Sequence, residues 1–312
     1  MRNRRKIWWI KRIISMVIVV FTTFTLTFFL MHTAKGDPFT ATIENLPNDV
    51  RQKYIEQYGF NQPIIKQYFI FLKRFIMQGD LGVSLHNRTS TVTDVIRTSM
   101  PASLLIGGLA VVIGTVVGYL LGICSAYTRF AWLKELISTA SVLGMSVPVY
   151  ILAPFIQNKI AVKLHLLPVS GWGTWQHLIL PVICMLPLTI ATITKYTKGS
   201  IEQVRRSGYY IAAKQRGFTE AHIFRLHVVK NSAPPIVTVV ISNVSAVFSG
   251  SFIVEKIFSV PGIGREFMTA INTRDYTIII GLNIVFTGIY VTFMLLGDLI
   301  QGICNPRFTN PL

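Results

Sequence analysis

Side chains able to do acid–base, nucleophilic or metal chemistry are sparse in this sequence. Among its six histidines, His222 and His227 are five apart, not the four that align two ligands on one helix face. His32, His86, His165 and His177 are scattered, and no HExxH pair occurs. Cys124, Cys184 and Cys304 show neither CxxC nor zinc-ligand spacing. No Ser-His-Asp or paired-carboxylate constellation stands at informative spacing, and the phosphate-cradling run GxxxxGK[ST] is missing. PGIG at 261–264 lacks the lysine and the strand-to-helix setting of such a loop, and reads as a turn. What remains is polar chemistry inside apolar runs. Ser242, Asn243, Ser245, Ser249, Ser251, Asn283 and Thr287 either face a translocation path or bond neighbouring helices. Asp298 is the clearest acid at that depth, placed near the end of its run, where it can be solvated or paired.

The elements that position these groups are long and apolar. The chain has 312 residues, 51% hydrophobic and 14% charged, which argues for an integral membrane protein rather than two soluble domains. About 20 residues at roughly 1.5 Å each cross a hydrocarbon layer of roughly 30 Å. Six stretches qualify: 10–31, 102–126, 137–162, 177–197, 233–254 and 278–303. The basic head MRNRRKIWWIKR resembles a signal peptide in charge layout, but the apolar run behind it is too long for a cleavable one. It reads as a retained first span.

The net charge of +17 fits orientation in a membrane better than nucleic-acid binding. With both termini placed in the cytoplasm, the inner segments hold more than half of the 30 Lys and Arg but only Glu135, Glu202 and Glu220. That is the positive-inside pattern.

Between the first two spans, 32–100 form an external loop. Val50, Tyr54 and Tyr58, closed by Gly59, describe one short amphipathic helix. A second has Asn61 as N-cap, Pro63 in its first turn and Ile64, Ile65, Tyr68, Phe69, Leu72 and Phe75 as its apolar face, suited to the membrane surface or to the bundle. Gly114, Gly118 and Gly122 recur every four residues in the second span, a spacing that lets helices approach closely, for packing within the chain ahead of a dimer interface. Pro148 and Pro154 in the third span, and Pro181 and Pro187 in the fourth, predict kinks.

One inner segment is unlike its apolar neighbours: GYYIAAKQRGFTEAHIFRLHVVKN at 208–231. Residues 209–216 favour helix, Gly217 can end it, and Thr219 can cap a second helix with Glu220 in its first turn. Neither piece reaches the roughly 12–15 residues at which an isolated helix becomes marginal in water, so each needs a surface: its own protein, the membrane, or a partner. Ala212 and Ala213 permit close approach, Ile211, Phe218, Ile223, Phe224 and Leu226 offer anchors, and Arg216, Arg225 and Lys230 can meet acids or anionic lipid.

This segment, with its Ala-Ala, three residues and Gly217, resembles the EAA loop of the membrane subunits of binding-protein-dependent ABC importers, with Ile211 where the family name has glutamate. Around it stand GDP at 36–38, YGFNQP at 58–63, GDLGVSL at 79–85, LPVSG at 167–171, HLILP at 177–181, VEKIFSVPGIG at 254–264, RDY at 274–276 and NPRF at 305–308. In this order they resemble the first permease of the oligopeptide, dipeptide and nickel importer family, over nearly the whole chain.

The resemblance implies an all-α integral membrane protein with six transmembrane helices in the type I ABC importer permease fold. It implies a first span plus external loop over 1–100 and a transmembrane domain over 101–312 that includes a coupling loop at 198–231. It implies a homologous second permease, two cytoplasmic ABC ATPases that bind ATP and Mg, an extracellular solute-binding protein, a plasma-membrane location, and no cofactor or catalytic residue in this chain. Ile211, Ala212, Ala213, Arg216, Gly217, Phe218, Glu220, Phe224 and Arg225 would contact an ATPase, and Ser242, Asn243, Ser249, Asn283 and Thr287 would line the path. Short peptides are the expected cargo, with nickel or a metal chelate as the alternative. The competing classes are an ATP-independent secondary transporter or channel, for which repeated halves and functional ionisable groups at membrane depth are not found, and a membrane enzyme.

Overall fold

The computed structural model describes residues 2–33, 52, 55, 59, 61–87 and 90–304. The expected helix around Val50, Tyr54 and Tyr58, and the motifs at 36–38 and 305–308, lie outside those residues. In chain order the helices are α1 (Arg2–Thr33), α2 (Ile64–Gln78), α3 (Val92–Tyr127), α4 (Ala131–Ser146), α5 (Val149–Ile156), α6 (Gln176–Arg205), α7 (Gly208–Gln215), α8 (Glu220–Ile223), α9 (Val229–Ile257), α10 (Ile263–Thr273) and α11 (Tyr276–Cys304). π-Helical turns occupy Gln157–Lys163 and Phe224–Val228. Among the described residues, β pairing is limited to an isolated bridge between Val83 and Thr91.

Length and apolarity select four helices as spans: Lys6–Thr33, α3, α6 and Tyr276–Gly302. A fifth follows if α4 and Val149–Lys163 form one bent span. Six were expected. The remaining stretch, 233–254, lies within the continuous 29-residue α9, where the side chains of 245, 246 and 248–250 are outside the described set. The expected third span is also not straight: its halves meet at 99°. Pro148 forces the preceding Val147 into an extended conformation, with φ −86° and ψ 113°, which ends α4 at Ser146, two residues before the proline.

The described chain divides into two compact units, one drawn from Trp9–Pro101 and Arg265–Val291, the other from Met1–Trp8, Ala102–Gly264 and Thr292–Leu312. In the first unit α2 packs on α1. Phe24, Phe28 and Tyr68 are buried together with Phe71, Leu72 and Phe75 around them, and the Tyr68 hydroxyl lies 2.9 Å from Thr25 Oγ1. Pro63 itself occupies the cap position of α2 and no side chain caps it, so Asn61 does not serve as the expected N-cap. Ile65 and Phe69 point outward.

In the second unit α6 is the central element, with α4, α5 and α9 against it. Ile106, Leu180, Val254, Phe258 and Val260 are fully or almost fully buried in its main core. The glycine row of α3 explains how α3 joins them. A Cβ at Gly114, Gly118 or Gly122 would lie 2.6, 2.8 or 2.5 Å from Thr189, Ile190 and Ile193, or Thr197 of α6, so only bare backbone fits. Thr194 Oγ1 donates to the Gly118 carbonyl at 3.2 Å across the same contact.

Candidate functional site

The segment between α6 and α9 is built as a turn with two sides. Gly217 ends α7 at φ +80°, a backbone conformation costing an L-residue roughly 1–2 kcal/mol. Thr219 then caps the next helix, its hydroxyl accepting from the His222 amide at 3.4 Å, with Glu220 in the first turn. Both features follow the sequence expectation. The second helix, however, is not a short separate piece. It passes through the π turn at Phe224–Val228 directly into α9, with Pro234 and Pro235 inside that helix rather than at its end. Proline removes a donor but leaves the chain in helical φ, and neighbours can absorb the loss.

The inner side of the turn is a small core of its own. Tyr210, Ala213, Ile223 and Val228 are buried against Ile201, Val204 and Ala126, with Phe224 and Tyr127 packed on them. Phe224 meets Tyr127 edge-on at 5.7 Å. The Tyr210 hydroxyl donates to Glu220 Oε2 at 2.7 Å, and Lys214 Nζ lies 3.3 Å from Glu220 Oε1. The bond from Tyr210 holds the Glu220 carboxyl below the usual range, with partial burial opposing and Lys214 and Arg205 assisting. Burial, followed by the bond to Glu220, holds the Tyr210 phenol above its usual range, so it remains a donor at neutral pH. Arg205 donates to the Ala126 carbonyl at 2.8 Å and lies over the Tyr127 ring at 4.8 Å, fixing the end of α6 to the end of α3.

The outer side is exposed. Ile211, Ala212, Arg216, Gly217, Phe218, Glu220 and Arg225 all reach solvent, as does Leu226. Of the nine residues expected at a partner contact, Ala213 and Phe224 therefore face inward and the other seven are outward. Phe218 stacks on His222 at 5.0 Å, which employs that histidine in packing. Among the described residues no group of three His, Cys, Asp or Glu is placed to hold a metal.

Of the polar positions in the spans, Asn243 and Asn283 bond neighbouring helices, whereas Ser242 and Thr287 bond their own. Asn243 is buried, and its Nδ2 donates to Thr192 Oγ1 of α6 at 2.8 Å. Asn283 Nδ2 donates to Thr27 Oγ1 of α1 at 2.5 Å, and Thr287 Oγ1 returns to the Asn283 carbonyl at 2.8 Å. Ser242 is exposed and bonds the Thr238 carbonyl at 3.1 Å. The Ser249 side chain lies outside the described set. Asp298 is buried.

Several of the scattered motifs turn out to be each other's partners. Glu255 is fully buried, and its Oε1 accepts from Ser103 Oγ at 2.7 Å. The same Ser103 oxygen accepts from the Ile263 amide at 2.9 Å, at the start of α10. A Cβ at Gly262 would collide with both Glu255 and Ser103, so VEKIFSVPGIG closes on itself around one carboxyl group. The LPVSG motif joins it through the Gly171 amide, which donates to the Phe258 carbonyl at 2.9 Å. In the other unit, Ser84 of GDLGVSL donates to Oδ2 of the buried Asp275 of RDY at 2.5 Å, and Asp275 Oδ1 caps α11 by accepting from the Ile278 amide at 3.2 Å. Ser103, Glu255, Ser84 and Asp275 are partners that the sequence does not reveal, since the two pairs are 152 and 191 positions apart.

Known proteins with the same pattern are transport subunits. Residues 114–310 match the family described as binding-protein-dependent transport system inner membrane component. The chain is 34% identical over 299 residues to the dipeptide transport system permease protein DppB of Bacillus subtilis, covering 96% of each chain. It is 28% identical over 300 residues to the oligopeptide transport system permease protein OppB of Escherichia coli, covering 96% of this chain and 97% of the relative. In fold it is similar to the solved structures of an amino acid ABC transporter with histidines, at TM-score 0.57 and 17% identity over 67% of this chain and 94% of the other, and of the inward-facing MetNI methionine ABC transporter, at 0.58 and 16% over 68% and 96%. With a family match over more than half of its length and a relative above 30% identity along nearly all of it, the chain belongs to the family of inner membrane components of binding-protein-dependent transport systems.

Proposed function

We propose that this chain is one of a pair of permease subunits in an ATP-driven importer of short peptides, and that the outward side of the 208–226 turn is where an ATPase docks. The observation that carries the docking reading is the division of the turn into two faces. Tyr210, Ala213, Ile223 and Val228 hold it rigidly to the ends of α3 and α6, while Ile211, Ala212, Arg216, Phe218 and Arg225 remain available. A short helix bonded so firmly to long ones transmits a push as a rigid-body movement. ATP and Mg would be bound by the ATPases, this chain supplying half of the translocation path. A solute-binding protein would deliver cargo from outside, with both termini of this chain in the cytoplasm.

Peptide cargo is supported by the dipeptide and oligopeptide names of relatives matched over almost their whole length, which favours peptides over nickel or a metal chelate. Tagged chain purified from its own membranes in mild detergent should bring a second permease and two ATPases with it. Peptide uptake by the reconstituted complex should need ATP. Recovery of a lone chain that transports in ATP-free vesicles would instead mean a secondary transporter.

A further inference from the structure

Between α7, the start of α4 and the ends of α3 and α6 lies a concave cleft of about 510 Å³, walled by Ala126, Lys134, Glu202, Arg205, Arg206, Tyr210, Ile211, Lys214 and Gln215. Four of these residues are cationic and one is an acid. Glu202 is engaged by Lys134 at 3.3 Å, Glu220 beside the cleft by Lys214 at 3.3 Å, and Arg206 has no acidic partner among the described residues. Lys134 and Lys214 keep side-chain exposures of 47% and 62%, so the charge is presented to the cleft mouth rather than buried. A hollow with that surplus attracts a multiply accepting anion, and phosphate oxygens suit the guanidinium and ammonium donors.

The surroundings select the source of the anion. Lys134 is the fourth residue of α4, close behind Phe130 and Trp132, both 64% exposed. Beyond them Leu136, Val142 and Leu143 are also outward along the same helix. In a membrane protein, aromatic side chains at a helix entrance mark headgroup depth, and the apolar face beyond them meets acyl chains. We propose that the cleft seats the phosphate of an anionic phospholipid headgroup, with Lys134, Arg206 and Lys214 as its donors and the acyl chains along α4. Because Tyr210, Ile211 and Lys214 belong to α7, a bound headgroup would brace the turn, a consequence that rests on the docking reading above, whereas the binding itself does not.

The experiment uses the full chain in neutral detergent, titrated with dioctanoyl phosphatidylglycerol, dioctanoyl phosphatidylcholine or glycerol 3-phosphate and read by native mass spectrometry and melting temperature. Phosphatidylglycerol should bind and stabilise, weakening with salt. Arg206→Gln with Lys214→Gln should weaken it on the order of tenfold. Arg206→Lys with Lys214→Arg, which keeps both charges, should retain most of the affinity, and Lys159→Gln with Lys163→Gln, outside the cleft, should leave it unchanged. Equal binding of phosphatidylcholine, or no effect of the double substitution, would overturn the site. Glycerol 3-phosphate binding as tightly as the lipid would overturn the lipid assignment in favour of a soluble anion. Displacement of the lipid when partner ATPases are added would show the cleft to be an acidic-protein contact instead, and would also overturn it. Since lipid binding is read on the chain without ATPases, it can fail while docking holds, and the reverse.

Discussion

The Tyr210 hydroxyl donates to Glu220 Oε2 across the Gly217 turn, at 2.7 Å, so the last turn before the break is tied to the first turn after it. This bond sets the angle at which the outer residues Ile211 and Phe218 are presented. Glu220 has its carboxyl pKa depressed first by that bond. A depressed carboxyl contributes stability that is present above its unfolded value, near 4.5, and is lost as pH falls through the lower folded value. Hydrogen exchange over 208–223, corrected for intrinsic rates, should therefore be slow at neutral pH and quicken only below about 4.5 in the native chain. In Tyr210→Phe it should already be faster at pH 7. An unchanged rate in Tyr210→Phe would show that the bond does not hold the turn.

Gly217 has open space around the position of a Cβ, so any fault of a substitution there is in the backbone. Gly217→Val should cost roughly 1–2 kcal/mol locally and abolish ATP-dependent uptake with the protein still at normal levels in the membrane. Gly217→Asn should be milder, since asparagine enters the left-handed region more readily. Uptake and membrane content of the two variants, measured side by side, check this ranking.

The glycine row makes a prediction with an internal control. Gly122→Leu places a side chain into Thr197 of α6, and overpacking of this kind typically costs about 1–3 kcal/mol. Gly108→Ala, with nothing within 4 Å of the new carbon, should leave the melting temperature in detergent unchanged.

Ser103 serves two partners at once. Ser103→Ala removes the donor to buried Glu255 and the acceptor of the Ile263 amide, and hydrogen bonds to charged groups are worth about 1.5–3 kcal/mol. Thermal unfolding should shift down accordingly, and Ser103→Thr, which keeps the hydroxyl, should recover part of the loss if its methyl is accommodated.

The sequence made the local grammar readable and the long-range partners opaque. Gly217 as a stop and Thr219 as a cap were legible because their chemistry acts within a few residues. Pro148 announced a kink, but not one of 99°, since the angle is fixed by how α4 and α5 pack on α6. The buried Glu255 carries no signal in the sequence because its partner Ser103 lies 152 positions away. Which side of the turn is free was equally hidden. The family resemblance implied Ala213 and Phe224 as contact residues, and their packing with Tyr127 and Val204 turns them inward.

The measurement closest to the central claim is site-specific photo-crosslinking in the assembled transporter, with the crosslinking residue placed in turn at Ala212, Arg216, Ala213 and Phe224. Ala212 and Arg216 should crosslink to an ATPase, while the inward Ala213 and Phe224 should react within the chain. ATPase adducts absent from both outward positions, in a complex that still takes up peptide, would contradict the assignment of this turn as the docking face.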